Sequence, residues 1–238
     1  YHFFRRHLKI MEKFEKTAIN LKTLDGKNIA AMLYSPKSLE ETAISGGVVF
    51  THMMPAAKES WEFLAINLAE KGYLGLAIDL RGHGESEGGP KAYTKFDDAE
   101  HQKSILDLDA AAKFLMGKGF TAGQIIFIGA SIGANLSLKY IVDNQDFKTV
   151  ILLSPGLNYR GTEAEASAAS LSPGQRIFII SARDDGGNAA EAKTIFAAIK
   201  DGIEKRLEIF ETGGHGTHLL ENKKKLQEMI EEFFAPVS

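Results

Sequence analysis

The stretch that decides the fold reads IIFIGASIGANLSL and covers residues 125–138. Its first four residues are large and apolar, as in a buried strand, and the residues after the second glycine continue as a helix. Between them lies the pattern Gly129-Ala130-Ser131-Ile132-Gly133. Glycines in this pattern permit a crowded strand-to-helix turn, and the helix N-terminus directs amide donors toward the serine. The stretch therefore predicts a nucleophilic Ser131 on a strand–turn–helix unit.

A second Gly-x-Ser-x-Gly pattern occurs at residues 84–88, with Ser86 at its centre. It lies several residues beyond the strand that we predict to end at Asp79, and Gly89-Pro90 follow it where a helix would be required. Two glutamates flank its serine and would oppose a developing oxyanion. We therefore interpret Ser86 as a structural residue.

Strands and helices alternate on both sides of this unit. Asp25-Gly26 joins two short β-prone runs at residues 17–24 and 28–34, which predicts an antiparallel opening hairpin. Further strands are predicted at residues 46–51, 73–79, 124–129, 148–153, 176–181 and 206–210, and helices at 59–71, 98–116, 132–142, 189–199 and 217–234. The alternation predicts an α/β fold with a mostly parallel central sheet and helices on both faces.

The domain organisation follows from length and spacing. We expect residues 1–16 to form an N-terminal tail and residues 17–238 to form a single domain. The segment 161–172, between two predicted strands, is too short for a large lid, so we expect little or no lid domain and a fairly open site.

Composition excludes several classes of protein. The chain has 238 residues, 28 basic and 31 acidic side chains, and a net charge of −3, which argues against a nucleic-acid-coating protein. It has no cysteine, which removes disulfides, thiol catalysis and cysteine-ligated metals. No apolar run approaches the ~18 residues of a membrane span. The compartment stays undecided between cytoplasmic and exported after loss of an upstream signal, and the oligomeric state is not readable.

A serine nucleophile needs a base, and two histidines follow Ser131 in the chain, His215 and His218. His215 lies among glycines just after the strand at residues 206–210, where it can reach a neighbouring strand's turn. We predict His215 as the base. The pair could also ligate a metal, but no third ligand has matching spacing, so we predict no metal site.

The base needs an orienting carboxylate, and the strand at residues 176–181 is followed by Asp184 and Asp185. Either side chain could serve, and the spacing from the strand end favours Asp184. The resulting order is serine, aspartate, histidine.

The oxyanion of an acyl-transfer intermediate needs two backbone donors. One is the amide of Ile132, directly after the nucleophile. The other should come from the loop after the strand at residues 46–51, where the amide of Met53 is our candidate. His52, in the same loop, is predicted to be structural.

In these motifs the sequence resembles the α/β-hydrolase superfamily, and most of all its small, bacterial-type carboxylesterase and dienelactone-hydrolase-like members. The matching segments are residues 52–55, 77–86, 129–133, 181–184 and 214–216, in family order. The resemblance implies that Asp79, Arg81 and His83 hold a structural loop beside the site. One departure is that Met53 stands where a glycine usually follows the histidine.

The predicted triad and the resemblance together imply a serine hydrolase. Its expected substrates are small-molecule carboxylic esters with small to medium acyl groups, cleaved through an acyl-enzyme without any cofactor. An acyltransferase, thioesterase or perhydrolase on the same triad is the first alternative. A catalytically silent binding protein on this fold is the second.

Overall fold

The computed structural model describes residues 13–37, 44–222 and 224–234. The strands are β1 (Phe14–Lys22), β2 (Asn28–Pro36), β3 (Gly46–Thr51), β4 (Tyr73–Ile78), β5 (Ile125–Ala130), β6 (Thr149–Leu153), β7 (Asn158–Tyr159), β8 (Thr162–Glu163), β9 (Arg176–Ala182) and β10 (Glu204–Phe210). The helices are α1 (Glu62–Glu70), α2 (Asp98–Gln102), α3 (Ile105–Gly117), α4 (Ile132–Asp143), α5 (Ala164–Ala169), α6 (Asn188–Ala198), α7 (His218–Asn222) and α8 (Lys224–Phe234).

Eight of the strands form one sheet in the order β1-β2-β4-β3-β5-β6-β9-β10. The pairs β1–β2 and β2–β4 are antiparallel, and every pairing from β4 to β10 is parallel. The carboxyl ends of the parallel strands therefore meet at one edge, where ligands bind in such folds. The predicted α/β fold is confirmed.

The start of the sheet corrects one expected boundary. β1 begins at Phe14, and its first residues pair with the end of β2, so residues 14–16 belong to the sheet rather than to a tail. The remainder of the predicted tail, residues 1–12, lies outside the described residues.

Side chains of the central strands point alternately into two buried apolar layers. In β5, Ile125 and Phe127 pack in the layer covered by α3, α4, α5 and α6, whereas Ile126 and Ile128 pack in the layer covered by α1, α7 and α8. Each fully buried side chain of this size contributes roughly 1.5–3 kcal/mol. Because both faces of the sheet are covered, the parallel strands are continuous apolar runs without alternating polar residues. These runs allowed the strands to be predicted from the sequence.

One predicted helix is divided. The helix expected at residues 98–116 is split into α2 and α3, because Ser104 N–H donates to the carbonyl of His101 and Asp107 N–H donates to the carbonyl of Ser104. These tighter i→i+3 turns interrupt the α-helical pattern. The helix expected at residues 217–234 corresponds to α7 and α8, which lie on either side of residue 223, a residue outside the described part of the chain.

Buried charges hold the loop that follows β4. The Asp79 carboxylate is fully buried and accepts hydrogen bonds from the Lys58 amide (2.7 Å), the Lys58 ammonium (2.8 Å) and the Glu85 amide (2.9 Å). Ser86 lies in the same loop, with 2% of its surface exposed. Its hydroxyl donates to the carbonyl of Asp79 and accepts from the amide of Ala30. These bonds support the structural interpretation of Ser86.

Arg81 ties this loop to two other elements. Its guanidinium donates to Asp107 on α3 at 2.8 Å and 3.0 Å, and to Asp25 in the β1–β2 turn at 2.8 Å and 3.1 Å. Hydrogen bonding from Arg81 lowers the pKa of Asp25 to about 2. Arg81 thus links the loop, the opening hairpin and a buried helix.

His83 is buried in the same loop as an uncharged side chain. Its Nδ1 donates to the carbonyl of Arg81 (3.1 Å), its ring stacks on Tyr93 at 4.0 Å, and its edge meets His52 at 4.8 Å. Burial lowers the pKa of His83 to about 4, with repulsion from a charged His52 acting in the same direction. In the unfolded chain the pKa of this histidine is near the ordinary value of about 6.5. Between about pH 6.5 and pH 4 the unfolded state therefore binds a proton that the folded state does not.

We expect the free energy of unfolding to fall as the pH drops from about 6.5 to 4, because the unfolded state takes up protons in that window. His83→Asn retains a donor for the Arg81 carbonyl and removes the titrating group. Between pH 7.5 and pH 5 the variant should lose about 2 kcal/mol less stability than the wild type. Urea unfolding at both pH values measures the difference, and equal losses would contradict this role of His83.

Candidate active site

Ser131 lies on a strained turn between β5 and α4. Its φ of 55° and ψ of −122° are unusual for a non-glycine residue and cost roughly 1–3 kcal/mol. Its amide donates to the carbonyl of Leu153 on β6 at 2.9 Å. A Cβ on Gly129 would stand 2.2 Å from the carbonyl oxygen of Gly133, so only glycine fits there. The geometry is that of the predicted strand–turn–helix unit.

Gly133 brings the end of β3 against the first turn of α4. A Cβ at this position would stand 2.4 Å from the carbonyl oxygen of Thr51 and 2.7 Å from that of His52. The Thr51 hydroxyl also donates to the Gly133 carbonyl at 3.0 Å. The segment carrying Met53 therefore lies against the helix turn that carries Ile132.

His52 is held by two backbone groups. Its Nδ1 donates to the carbonyl of Met53 at 2.9 Å, and its Nε2 accepts from the amide of Leu80 at 3.0 Å. The ring is fully buried, and burial lowers its pKa. Because both nitrogens are engaged, His52 fixes the loop after β3, in agreement with the structural role predicted for it.

The structure pairs His215 with Asp185 and not with Asp184, the carboxylate that the sequence favoured. The Nδ1 of His215 lies 2.7 Å from Oδ2 of Asp185. The Asp184 carboxylate accepts instead from the amides of Gly213 and Gly214, both at 3.1 Å. The two neighbouring aspartates therefore hold the same loop in different ways, one through the imidazole and the other through the backbone.

The backbone after β9 explains this division. The Arg183 amide donates to the carbonyl of Phe210, which continues the β9–β10 pairing by one residue. The Asp185 amide then donates back to the carbonyl of Ala182 (3.3 Å) and closes a turn. Spacing from the strand end does not reveal where this turn closes, so the sequence could not separate the two carboxylates.

Ser154, which the sequence did not single out, anchors the histidine loop. Its hydroxyl accepts from the amide of Gly216 at 2.9 Å, and its backbone has a positive φ of 49°. Ser154 follows Leu153, whose carbonyl accepts from the Ser131 amide. The nucleophile turn and the histidine loop are thus both fixed to the end of β6.

Met53 also contacts the histidine loop. A Cβ on Gly216 would stand 2.5 Å from the Met53 sulfur, and the Thr217 hydroxyl lies 4.0 Å from that sulfur. The side chain of Met53 therefore packs between the loop after β3 and the loop that carries His215. Its amide stays a predicted oxyanion donor.

Tyr159 was also missed by the sequence analysis. It lies on the β7–β8 hairpin, and its ring meets the His215 ring edge-on, with centroids 6.4 Å apart. Burial raises the pKa of Tyr159, and the nearby side chains of Ser131 and Asn188 act in the opposite direction. Tyr159 therefore lies beside Ser131 and His215 on this side of the site.

The described residues offer neither a metal site nor a membrane span. Among them, no group of three or more histidine, aspartate or glutamate side chains could hold a metal ion. His218 is exposed and pairs with Glu221 on α7 at 3.3 Å. Within residues 13–37, 44–222 and 224–234, no helix has both the length and the apolar character that crossing a membrane requires.

The fold is similar to those of solved hydrolases. An esterase from Pyrococcus furiosus has 19% identity and a TM-score of 0.72, covering 92% of this chain and 90% of that one. A dienelactone hydrolase from Anabaena variabilis has 16% identity and a TM-score of 0.71, covering 93% and 97%. An esterase from Exiguobacterium antarcticum has 17% identity and a TM-score of 0.69, covering 92% and 99%. No curated protein matches the sequence significantly.

A family model matches the sequence itself. It describes serine aminopeptidase, S33, and matches residues 43–178, more than half of the chain. The matched region contains β3, the Ser131 turn and β6, and it ends before Asp185 and His215. By this match and by its sheet, the chain belongs to the serine aminopeptidase S33 family of α/β-hydrolase enzymes.

Proposed function

We propose that this protein cleaves carboxylic esters of small to medium acyl groups through Ser131, His215 and Asp185. The observation that carries the proposal is the 2.7 Å bond between His215 and Asp185, in a loop fixed beside the Ser131 turn by Ser154. A strained serine, a histidine and a partly buried carboxylate at one sheet edge are the parts that acyl transfer requires.

In the proposed reaction the Ser131 hydroxyl attacks the ester carbonyl while Nε2 of His215 accepts its proton. Asp185 holds Nδ1–H of the imidazole, which keeps Nε2 free to act as the base and stabilises the imidazolium that forms. The two glycine amides bound to Asp184 keep the loop itself in place.

The oxyanion needs donors that are in place before it forms. The amide of Ile132 is the first N–H of α4, and an N–H at this position has no acceptor within the helix. The Met53 amide is the second candidate donor, in a loop fixed by His52. Each donor of this kind stabilises the transition state by ~3 kcal/mol.

Collapse of the tetrahedral intermediate leaves an acyl group on Ser131 and releases the alcohol, which takes the proton from His215. Water then attacks the acyl-enzyme with His215 again as the base. Transfer to another alcohol or to a thiol would use the same acyl-enzyme, so the acceptor decides between hydrolysis and acyl transfer. Small to medium acyl groups are consistent with the position of Tyr159 beside Ser131.

We expect the wild type to hydrolyse p-nitrophenyl acetate and butyrate faster than the octanoate and palmitate. Ser131→Ala should abolish turnover, because it removes the nucleophile. Ser86→Ala is the matched control at the second Gly-x-Ser-x-Gly pattern, and it should keep kcat while losing stability. Initial rates and labelling by a fluorophosphonate probe measure both. A wild type that neither turns over nor takes the label would contradict the proposal and favour a binding role.

A second test uses the two adjacent aspartates. Asp185→Asn should lower kcat by about 10³–10⁴-fold, because the imidazole loses its orienting carboxylate. Asp184→Asn should keep kcat within about tenfold and lower stability by about 1–2 kcal/mol, because it weakens two bonds to the glycine amides. Kinetics and thermal unfolding of both variants decide the assignment. The reverse pattern would make Asp184 the acid of the triad.

A further inference from the structure

This inference rests on the proposed esterase function and concerns a residue outside the triad. We propose that Tyr159 is a further catalytic residue, whose phenolic O–H donates a hydrogen bond to the leaving-group oxygen as the ester C–O bond breaks.

Tyr159 lies beside both side chains that react in the proposed mechanism. Its ring meets the His215 ring at 86°, with centroids 6.4 Å apart, and its phenol is close enough to the Ser131 side chain for the two to interact. A Cβ on Gly156 would stand 2.5 Å from Cζ of Tyr159, so the ring packs directly against the backbone after β6. The phenol therefore lies next to the position of a group bound to Ser131.

The position beside His215 is the leaving-group side of the site. In acyl transfer the histidine gives its proton to the departing oxygen, so that oxygen must lie close to Nε2 of His215. The oxyanion donors, by contrast, come from the first turn of α4 and the loop after β3. A hydroxyl beside Ser131 and His215 is thus placed to meet the departing oxygen.

The phenol is available as a donor throughout the neutral pH range. Burial raises the pKa of Tyr159, and the negative charges of Glu191 and Asp185 raise it further. The nearby side chains of Ser131 and Asn188 act in the opposite direction, and the net shift is upward. Tyr159 therefore stays protonated wherever the esterase reaction would be measured.

The hairpin that carries Tyr159 is fixed to the catalytic helix. The Asn135 side chain, on α4, donates to the carbonyls of Gly156 and Thr162, both at 2.8 Å. Arg160 and Gly161 complete the tight turn with φ values of 54° and 77°. The tyrosine is therefore held relative to Ser131 without a separate closing movement.

The proposed step conserves atoms and charge. The bond between the carbonyl carbon and the leaving oxygen breaks, and its electron pair goes to that oxygen. The imidazolium of His215 transfers its proton to the same oxygen, which leaves as the alcohol. The Tyr159 hydroxyl shares its hydrogen in a hydrogen bond and keeps its proton, so no further reactant is needed.

The experiment varies the leaving group at a constant acyl group. The substrates are the acetates of p-nitrophenol, trifluoroethanol and ethanol, in order of increasing basicity of the leaving oxygen. The measured quantity is kcat/KM, which reports the steps up to acyl-enzyme formation and excludes the shared deacylation step. Tyr159→Phe removes the hydroxyl and keeps the ring. Tyr140→Phe is the matched control. It removes a hydroxyl on the part of α4 far from Ser131, which donates to Asp109 on α3.

We expect Tyr159→Phe to lower kcat/KM for ethyl acetate by about 10- to 100-fold. The hydrogen bond from Tyr159 stabilises a basic, alkoxide-like leaving oxygen most, so its loss costs most on this ester. The loss should be smaller for the trifluoroethyl ester and below about threefold for the p-nitrophenyl ester, whose leaving group is a stable anion. Tyr140→Phe should show no such dependence.

Equal losses on all three esters would overturn the inference and make Tyr159 a structural residue. Unchanged rates on all three would overturn it as well. Failure of the proposed function is distinguishable, since the wild type itself would then give no rate above Ser131→Ala on any ester. Thermal unfolding of each variant separates a loss of fold from a loss of chemistry.

Discussion

The approach of Gly133 to the carbonyl oxygens of Thr51 and His52 is the constraint on which the site depends. A single methyl group at this position would overlap the backbone of β3. Because α4 can come this close, its first turn stands directly beside the loop after β3. Ser131 and Ile132 begin that turn, and Met53 lies in that loop. One glycine thus sets the distance between the candidate nucleophile and Met53, the candidate oxyanion donor in the loop after β3.

The rest of the site is assembled by bonds from the ends of neighbouring strands. The last carbonyl of β6 receives the Ser131 amide, and the hydroxyl of the next residue, Ser154, receives the Gly216 amide. The ring of His52 joins the ends of β3 and β4. Nearly all these bonds involve backbone groups, whose positions the sheet already fixes. The catalytic geometry is therefore a consequence of strand order, and few side chains are needed to maintain it.

The sequence predicted the sheet and its alternation with helices because both faces of the parallel strands are buried and the strands are apolar throughout. Ser131 and His215 were predicted for a different reason: glycines that flank a polar residue at a strand end are typical of a catalytic turn. Asp185 could not be separated from Asp184, because their difference lies in a turn closed by backbone bonds after β9. The split between α2 and α3 was missed because the apolar spacing continues through it.

Tyr159 and Ser154 show a second limit of pattern reading. β7 and β8 have two residues each, too few for any periodicity, and the turn between them is Arg160-Gly161 rather than a common hairpin pair. The hairpin is held by the Asn135 side chain on α4, which donates to the carbonyls of Gly156, before β7, and Thr162, in β8. Such a contact between residues far apart in sequence leaves no local signal. Ser154 depends in the same way on Gly216, which lies on another loop.

The attachment of this hairpin to α4 has a consequence for selectivity. A lid on a separate domain can open for large substrates and close over small ones, so it couples selection to a conformational change. Here Tyr159 and the candidate nucleophile belong to one hydrogen-bonded unit, with Asn135 only four residues beyond Ser131. The ring of Tyr159 is in turn fixed by its contact with Gly156. If the proposed function holds, selection among substrates would therefore rest on the fixed shape beside Ser131 and would not require a moving lid.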